Sequence, residues 1–188
     1  YDQSLKNSID NYNNLPDLKE VVGNSVINHE KHKVGCFYAD AIKNTMNVDV
    51  SFQNSGGVRN SLDQGDITKN EIYTIEPFNN GTVKYEMTIK QIKDFLIGSQ
   101  SGFYYSGIQI TQVGNTVEIK DASGVVMDDT TTVSVGLNDY IPAVHDSYFP
   151  VNNTIQALSA AESIIYYLQN INSEVNYPQC GNFFRYSN

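Results

Sequence analysis

The stretch SFQNSGGVRN, residues 51–60, ends an alternating apolar run on an asparagine, continues with a diglycine and places an arginine two residues further on. Upstream, VDVSFQ (48–53) has the period-two pattern of a strand, with Val48, Val50 and Phe52 on one face. Asn54, Gly56, Gly57 and Arg59 then read as the loop that leaves this strand. Gly56 and Gly57 allow positive φ and let backbone N–H groups turn toward an anion, while Arg59 adds a forked cation suited to phosphate or carboxylate. Arginine is scarce, with Arg59 and Arg185 the only two in 188 residues. Asn54 donates and accepts at once, which suits a base edge or a ribose. The same residues also fit a strand-ending turn with a surface arginine, and the loop alone leaves both readings open.

Outward from this loop, helices and strands mix without strict βαβ alternation. KEVVGNSVINH (19–29) reads as a strand and CFYADAIKNTM (36–46) as a helix with Phe37, Ala41 and Ile42 on one face. TKNE (68–71) and TIKQ (88–91) fit capping boxes, the second before a helix whose Ile89, Ile92, Phe95 and Leu96 share a face and which Gly98 is placed to end. GTVKYEM (81–87) and TTTVSVGLN (130–138) read as strands, and GIQITQVGNTVEIK (107–120) as a hairpin turning at Gly114-Asn115. DYIPAVHDSYFPVNN (139–153) reads as a loop and ALSAAESIIYYLQNI (157–171) as the last helix. SLKNSIDNYNN (4–14) suits an exposed lead-in helix ending before Pro16. The pattern predicts one α+β domain, a mixed β-sheet packed with helices.

A formal net charge of −9 argues against a nonspecific binder of nucleic acid or anionic membrane, which would bring lysine and arginine to neutralise phosphate. No apolar run approaches the length of a membrane span. Cys36 and Cys180 form no metal-spaced or CxxC pattern, and fit equally a pair of small buried residues or a disulfide tying the tail to the body.

Two loop aromatics, Phe78 in IEPFNN and Tyr140 in LNDYIP, can stack on a planar ligand, although such rings more often serve as packing. In HDSYF (145–149), adjacent His145 and Asp146 on extended chain would point apart and no nucleophile accompanies them, which excludes a local triad. Asp146 alone suits a sugar diol or a loop cap. HEKH (29–32) is not HExxH and has no third ligand nearby, so it reads as solvated surface.

Taken in order, these segments resemble the C-terminal domain of the 5′-nucleotidase and UDP-sugar hydrolase family. VGCFYADAI (34–42) resembles its G-N-L-x-x-D-A helix start, NSGGVR (54–59) its N-G-G-G-[VI]-R loop, and GDITKNEIYTIEPFNN (65–80) its G-x-I-[ST] to P-F-x-N stretch. YEMTIKQIKDFL (85–96) is similar to the L-T-G-x-x-L-K helix, GFYYSGIQI (102–110) to the segment ending S-G-[LI], and NDYIPAVHDSYF (138–149) to the N-[DF]-F-L-x-x-G-G-D-G-[YF] loop. AESIIYYLQN (161–170) resembles the helix before the family's C-terminus, so the likeness runs from about Lys19 to near the end of the chain.

The resemblance implies that residues 19–188 are the nucleotide-binding domain of an exported, metal-dependent 5′-nucleotidase, periplasmic, extracellular or at the cell surface, with residues 1–18 a linker helix region. Phe78 and Tyr140 would sandwich the base, Asp146 would hold ribose hydroxyls, Arg59 the phosphate or ribose side, and Asn54 with Gly56 and Gly57 the nucleoside. No catalytic residue, metal ligand or cofactor is expected in this domain. Two divalent metal ions that activate water would lie on an N-terminal metallophosphoesterase domain, the implied partner, which is absent from this chain. A 2′,3′-cyclic-nucleotide phosphodiesterase or 3′-nucleotidase shares the architecture, and a non-catalytic module that kept the fold is the other alternative. The sequence departs from the pattern at Ser55, which replaces a glycine, at AVHD (143–146), which replaces G-G-D, and in NHEKHK (28–33), where the family places another arginine.

Overall fold

The computed structural model describes residues 2–7 and 15–187. Residues 3–7 are helical, and the rest of the expected lead-in segment, 8–14, lies outside the described residues. A 3-10 turn at Pro16–Lys19 leads into β1 (Val21–Ser25), a shorter strand than the expected 19–29. Helix α1 (Lys31–Met46) begins five residues before the expected start, and its last turn closes on Asn47 in the left-handed region. The HEKH segment therefore runs into a helix, and His29 is core rather than surface. It is 1% exposed, with Nδ1 2.9 Å from Ser25 Oγ and Nε2 accepting from the Tyr177 backbone N–H at 2.9 Å.

The central layer is a six-stranded sheet of order β11-β5-β2-β8-β4-β9, comprising β2 (Val50–Asn54), β4 (Gly81–Thr88), β5 (Gly102–Ser106), β8 (Thr132–Asn138), β9 (Thr154–Ser159) and β11 (Phe183–Arg185). Only the β2–β8 pair is parallel, and the other neighbours run antiparallel. Strand β2 is buried on both faces. Phe52 meets Phe95 of α3 (Ile89–Ser99) with ring centroids 5.8 Å apart, while Ser51 Oγ donates to the Ala39 carbonyl of α1 at 2.6 Å. Val48 does not share the face of Val50 and Phe52. It precedes the strand, just after the Asn47 turn, and packs in the other core cluster.

A second sheet, β10-β1-β3, joins β3 (Gly65–Thr68) and β10 (Glu174–Val175) to β1 and shares a core with α1, α2 (Lys69–Ile75) and α5 (Ala160–Asn170). The hairpin β6 (Gln109–Val113) and β7 (Thr116–Lys120) packs with α3 on the other side of the central sheet. Both expected capping boxes form, at Thr68/Glu71 and Thr88/Gln91.

Three further boundaries differ from the sequence expectation. Gly98 lies inside α3, which ends with Gln100 in the left-handed region. A Cβ on Gly98 would strike the Tyr148 hydroxyl, so the glycine admits a neighbouring turn rather than ending the helix. Residues 139–153 are not all loop, because Tyr140–Val144 form α4 and Asp146–Tyr148 a 3-10 turn. Pro142 is compatible with that helix because first-turn N–H groups have no intrahelical acceptor to lose. The last helix starts at Ala160 rather than Ala157, set by an unforeseen capping box in which Ser159 and Glu162 exchange hydrogen bonds.

Cys36 and Cys180 are joined by a disulfide, with Cα atoms 5.7 Å apart, and this settles the alternative left open by sequence. It fixes the tail to α1, and β11 then pairs with β5.

Candidate functional site

Strand polarity gathers the site at one end of the central strands. β2 and β8 are parallel and end together, and β4 runs antiparallel to β8 and therefore begins there. The 54–59 loop, α4 and the residues before β4 consequently meet. They enclose a cleft of about 310 Å³ lined by Asn54, Gly56, Gly57, Arg59, Phe78, Asn80 and Tyr140. Six of the seven expected site residues are thus brought together. Asp146 is not, because it sits exposed on the 3-10 turn beyond α4 and lines no part of this cleft.

Phe78 and Tyr140 are 50% and 51% exposed, so each large ring leaves about half its surface uncovered. Arg59 is anchored through its backbone N–H to the Ile75 carbonyl at 2.9 Å, and its Nη1 donates to the Gly56 carbonyl at 3.3 Å. Its guanidinium carbon lies 5.6 Å from the Phe78 ring centroid, within cation–π range.

An amide network under the loop fixes Asn54. Buried Asn138, the last residue of β8, donates through Nδ2 to Gln53 Oε1 at 2.8 Å and to Asn54 Oδ1 at 3.0 Å. Gln53 Nε2 donates to the Asn54 carbonyl at 3.2 Å and to Asn54 Oδ1 at 3.3 Å. Asn138 Oδ1 accepts the Ile141 N–H at 3.3 Å, which ties α4 to the same network. With Oδ1 occupied by two donors, Asn54 keeps its Nδ2 donors for the cleft.

The diglycine does not work as the sequence suggested. Ser55–Gly57 form a 3-10 turn, and neither Gly56 nor Gly57 has a positive φ. The constraint is steric and falls on Gly57, where a Cβ would run into Gln53 Nε2 and come within 2.9 Å of Asn54 Oδ1. A Cβ on Gly56 would meet nothing nearer than Asn54 Nδ2 at 3.9 Å.

Glu76 was not foreseen at all. It is 1% exposed, and burial pushes its pKa up, opposed by the donors around it. Tyr38 Oη donates to Oε2 at 2.9 Å, while Oε1 accepts the Phe78 N–H at 3.3 Å and Asn80 Nδ2 at 3.1 Å. One carboxylate therefore holds the backbone of Phe78 and the amide of Asn80. Because a carboxylate only accepts, Asn80 gives it Nδ2 and retains the carbonyl Oδ1. The sequence signal was the second asparagine of FNN, inside the same P-F-x-N segment that supplied Phe78.

His145 packs its ring against Phe95 and Phe103, at centroid distances of 5.9 and 6.2 Å, and burial lowers its pKa. Among the described residues, no three His, Cys, Asp or Glu side chains gather as a metal site, and no helix is long and apolar enough to cross a membrane.

Residues 17–153 match the family model described as 5′-nucleotidase, C-terminal domain. The chain belongs to that family. Endonuclease YhcR of Bacillus subtilis is 26% identical over 188 residues, covering 88% of this chain and 15% of the relative. The NAD 5′-nucleotidase of Haemophilus influenzae is 27% identical over 135 residues, covering 60% of this chain and 22% of the relative. This domain thus spans a minor part of the length of the curated relatives it matches. Among solved structures, the 5′-nucleotidase precursor of Thermus thermophilus superposes with a TM-score of 0.76 at 21% identity, covering 94% of this chain and 42% of the other. That likeness bears out the α+β fold.

Proposed function

We propose that residues 19–188 are the substrate-binding domain of an exported, metal-dependent 5′-nucleotidase that releases nucleoside and phosphate from nucleoside monophosphates. The observation that carries this reading is the meeting of two half-exposed rings, Phe78 and Tyr140, with Arg59, Asn54 and Asn80 around one cleft. A base between the rings stacks on both faces. The Asn54 donors and the Asn80 carbonyl supply edge contacts of opposite polarity. Arg59 faces the phosphate or ribose side, and Gly57 keeps the turn tight enough for close backbone approach.

Asp146, exposed on the turn beyond α4, is the ribose partner in this reading. The domain positions substrate, while the hydrolytic water is activated by two divalent ions on a separate metallophosphoesterase domain. Export is supported by the Cys36–Cys180 disulfide, since such bonds persist in oxidising compartments. The names of the Thermus precursor and the Haemophilus nucleotidase point the same way on export and substrate class.

Calorimetric titration of the chain with adenosine tests the reading. Saturable binding is expected, and Tyr140→Ala should weaken it by about one to two orders of magnitude, since a stacked base is worth about 1–3 kcal/mol. Equal affinity in the variant, or no binding at millimolar adenosine, overturns the base sandwich.

A further inference from the structure

The tail beyond residue 153 lies outside the family match, yet it returns to the candidate site. The disulfide holds Cys180 to α1, the Tyr105 N–H donates to the Asn182 carbonyl at 3.0 Å, and β11 pairs antiparallel with β5 so that Arg185 stands opposite Gly102. Because Asn54 stands opposite Phe103 on the far side of β5, this register brings Arg185 to the loop of the first cleft. Gly102 makes room for the approach: a Cβ there would come within 2.8 Å of the Phe183 ring and 3.2 Å of Ser55 Oγ.

Arg185 lines a second cleft of about 260 Å³, which shares Asn54, Gly56 and Tyr140 with the first. The chain's only two arginines therefore flank one loop, one in each of two adjoining clefts. Neither cleft is lined by a carboxylate, although the chain carries 21 acidic residues. Lys69, Lys84, Lys90, Lys93 and Lys120 all pair with acids, whereas the Arg185 side chain makes no ion pair or hydrogen bond among the described residues. Ser55 Oγ, also in the second cleft, likewise has no hydrogen-bond partner among them. A free guanidinium and a free hydroxyl in a carboxylate-free pocket are the donors an oxyanion requires.

We propose that Arg185 and Ser55 form an anion subsite, built by the disulfide-held tail, that takes a phosphate of the nucleotide whose base occupies the first cleft. This inference rests on the nucleotide-binding reading above. The shared Asn54 and Tyr140 let one ligand span both clefts, with the base against Phe78, Arg59 at the ribose and the phosphate on the Arg185 side.

The test compares adenosine, AMP and inorganic phosphate by calorimetry on the wild-type chain, Arg185→Ala and Arg185→Lys. AMP should bind the wild type about tenfold more tightly than adenosine, the worth of a charge-assisted hydrogen bond. Arg185→Ala should abolish that surplus, and Arg185→Lys should keep part of it, as a point charge without the fork. A surplus that survives Arg185→Ala, or is missing from the wild type, overturns the subsite while adenosine binding leaves the base sandwich standing. Phosphate that binds as tightly as AMP in an Arg185-dependent way assigns the pocket to the free ion and overturns the nucleotide assignment. If neither adenosine nor AMP binds, the functional reading falls and the subsite falls with it.

Discussion

Two buried polar networks, one under the tail and one under the 54–59 loop, differ in what they leave unused. Under the tail, His29 bonds to Ser25 through Nδ1 and to the Tyr177 N–H through Nε2, and Tyr177 Oη donates to Asp40 at 2.6 Å. Both imidazole nitrogens are used, and the ring is 1% exposed. Under the 54–59 loop, Gln53, Asn54 and Asn138 interlock with equal economy and Glu76 holds Asn80 at the same cleft, but the Asn54 amine and the Asn80 carbonyl stay unused. A network that closes on itself specifies packing. One that satisfies every buried atom and still holds rigid, unused donors and acceptors at a cleft is preorganised for a ligand, because the cost of ordering them is met in folding.

The largest expected effect breaks the tail side. Cys180→Ser opens a cross-link spanning 144 residues, and loss of such a native disulfide costs about 2–5 kcal/mol. Chemical denaturation should show that loss. Adenosine affinity should hold at temperatures where the variant is folded, since the first cleft draws no residue from the tail. An unchanged denaturation midpoint would mean that β11 docks without the cross-link.

A smaller effect breaks the cleft side. Gly57→Ala forces a methyl against Gln53 and Asn54, whose amides are committed to Asn138, so it should cost about 1–3 kcal/mol by disrupting buried hydrogen bonds and should lower adenosine affinity as well. Gly56→Ala meets nothing within 3.4 Å and should stay within about 0.5 kcal/mol of wild type. Equal costs at the two positions would contradict the steric account and restore a conformational one.

Those glycines show how much the sequence could tell. It located the loop, both rings and both capping boxes, because periodicity, Thr-x-x-Glu/Gln spacing and the Pro-Phe and Asn-Asp-Tyr segments are local signals. It gave the wrong reason for the diglycine, since the obstruction comes from side chains that only the turn's closure brings near. Glu76 carries no signal of its own in IEPFNN and becomes visible as a scaffold only when Tyr38, 38 residues upstream, arrives with its hydroxyl. His29 was assigned to the surface for the same reason: its partner Tyr177 lies 148 residues away. Arg185 was noted for its rarity, but its place beside the loop depends on strand order and a disulfide, neither of which a linear pattern encodes.

The smallest effect separates the two networks by pH. Burial, then the nearby Lys33 charge, lowers the pKa of His29, so its contribution to stability is present above the unfolded value of about 6.5 and is lost as pH falls through the lower folded value. A protonated ring would turn an N–H donor toward the Tyr177 N–H, two donors facing one another. Glu76 has the opposite sign. Its folded pKa is raised, chiefly by burial, so its contribution is full below the unfolded value of about 4.3 and lost as pH rises through the folded one. Acidification from neutrality should therefore loosen the tail while leaving the cleft scaffold in place. Amide exchange, expressed as protection factors, should show Tyr177 losing protection as pH falls below about 6.5 while Phe78, which donates to Glu76, retains its own. Parallel loss at the two amides would mean that the tail and the cleft open as one unit, and the distinction between a closed network and a ligand-ready one would then lie in their exposed faces alone and not in their stability.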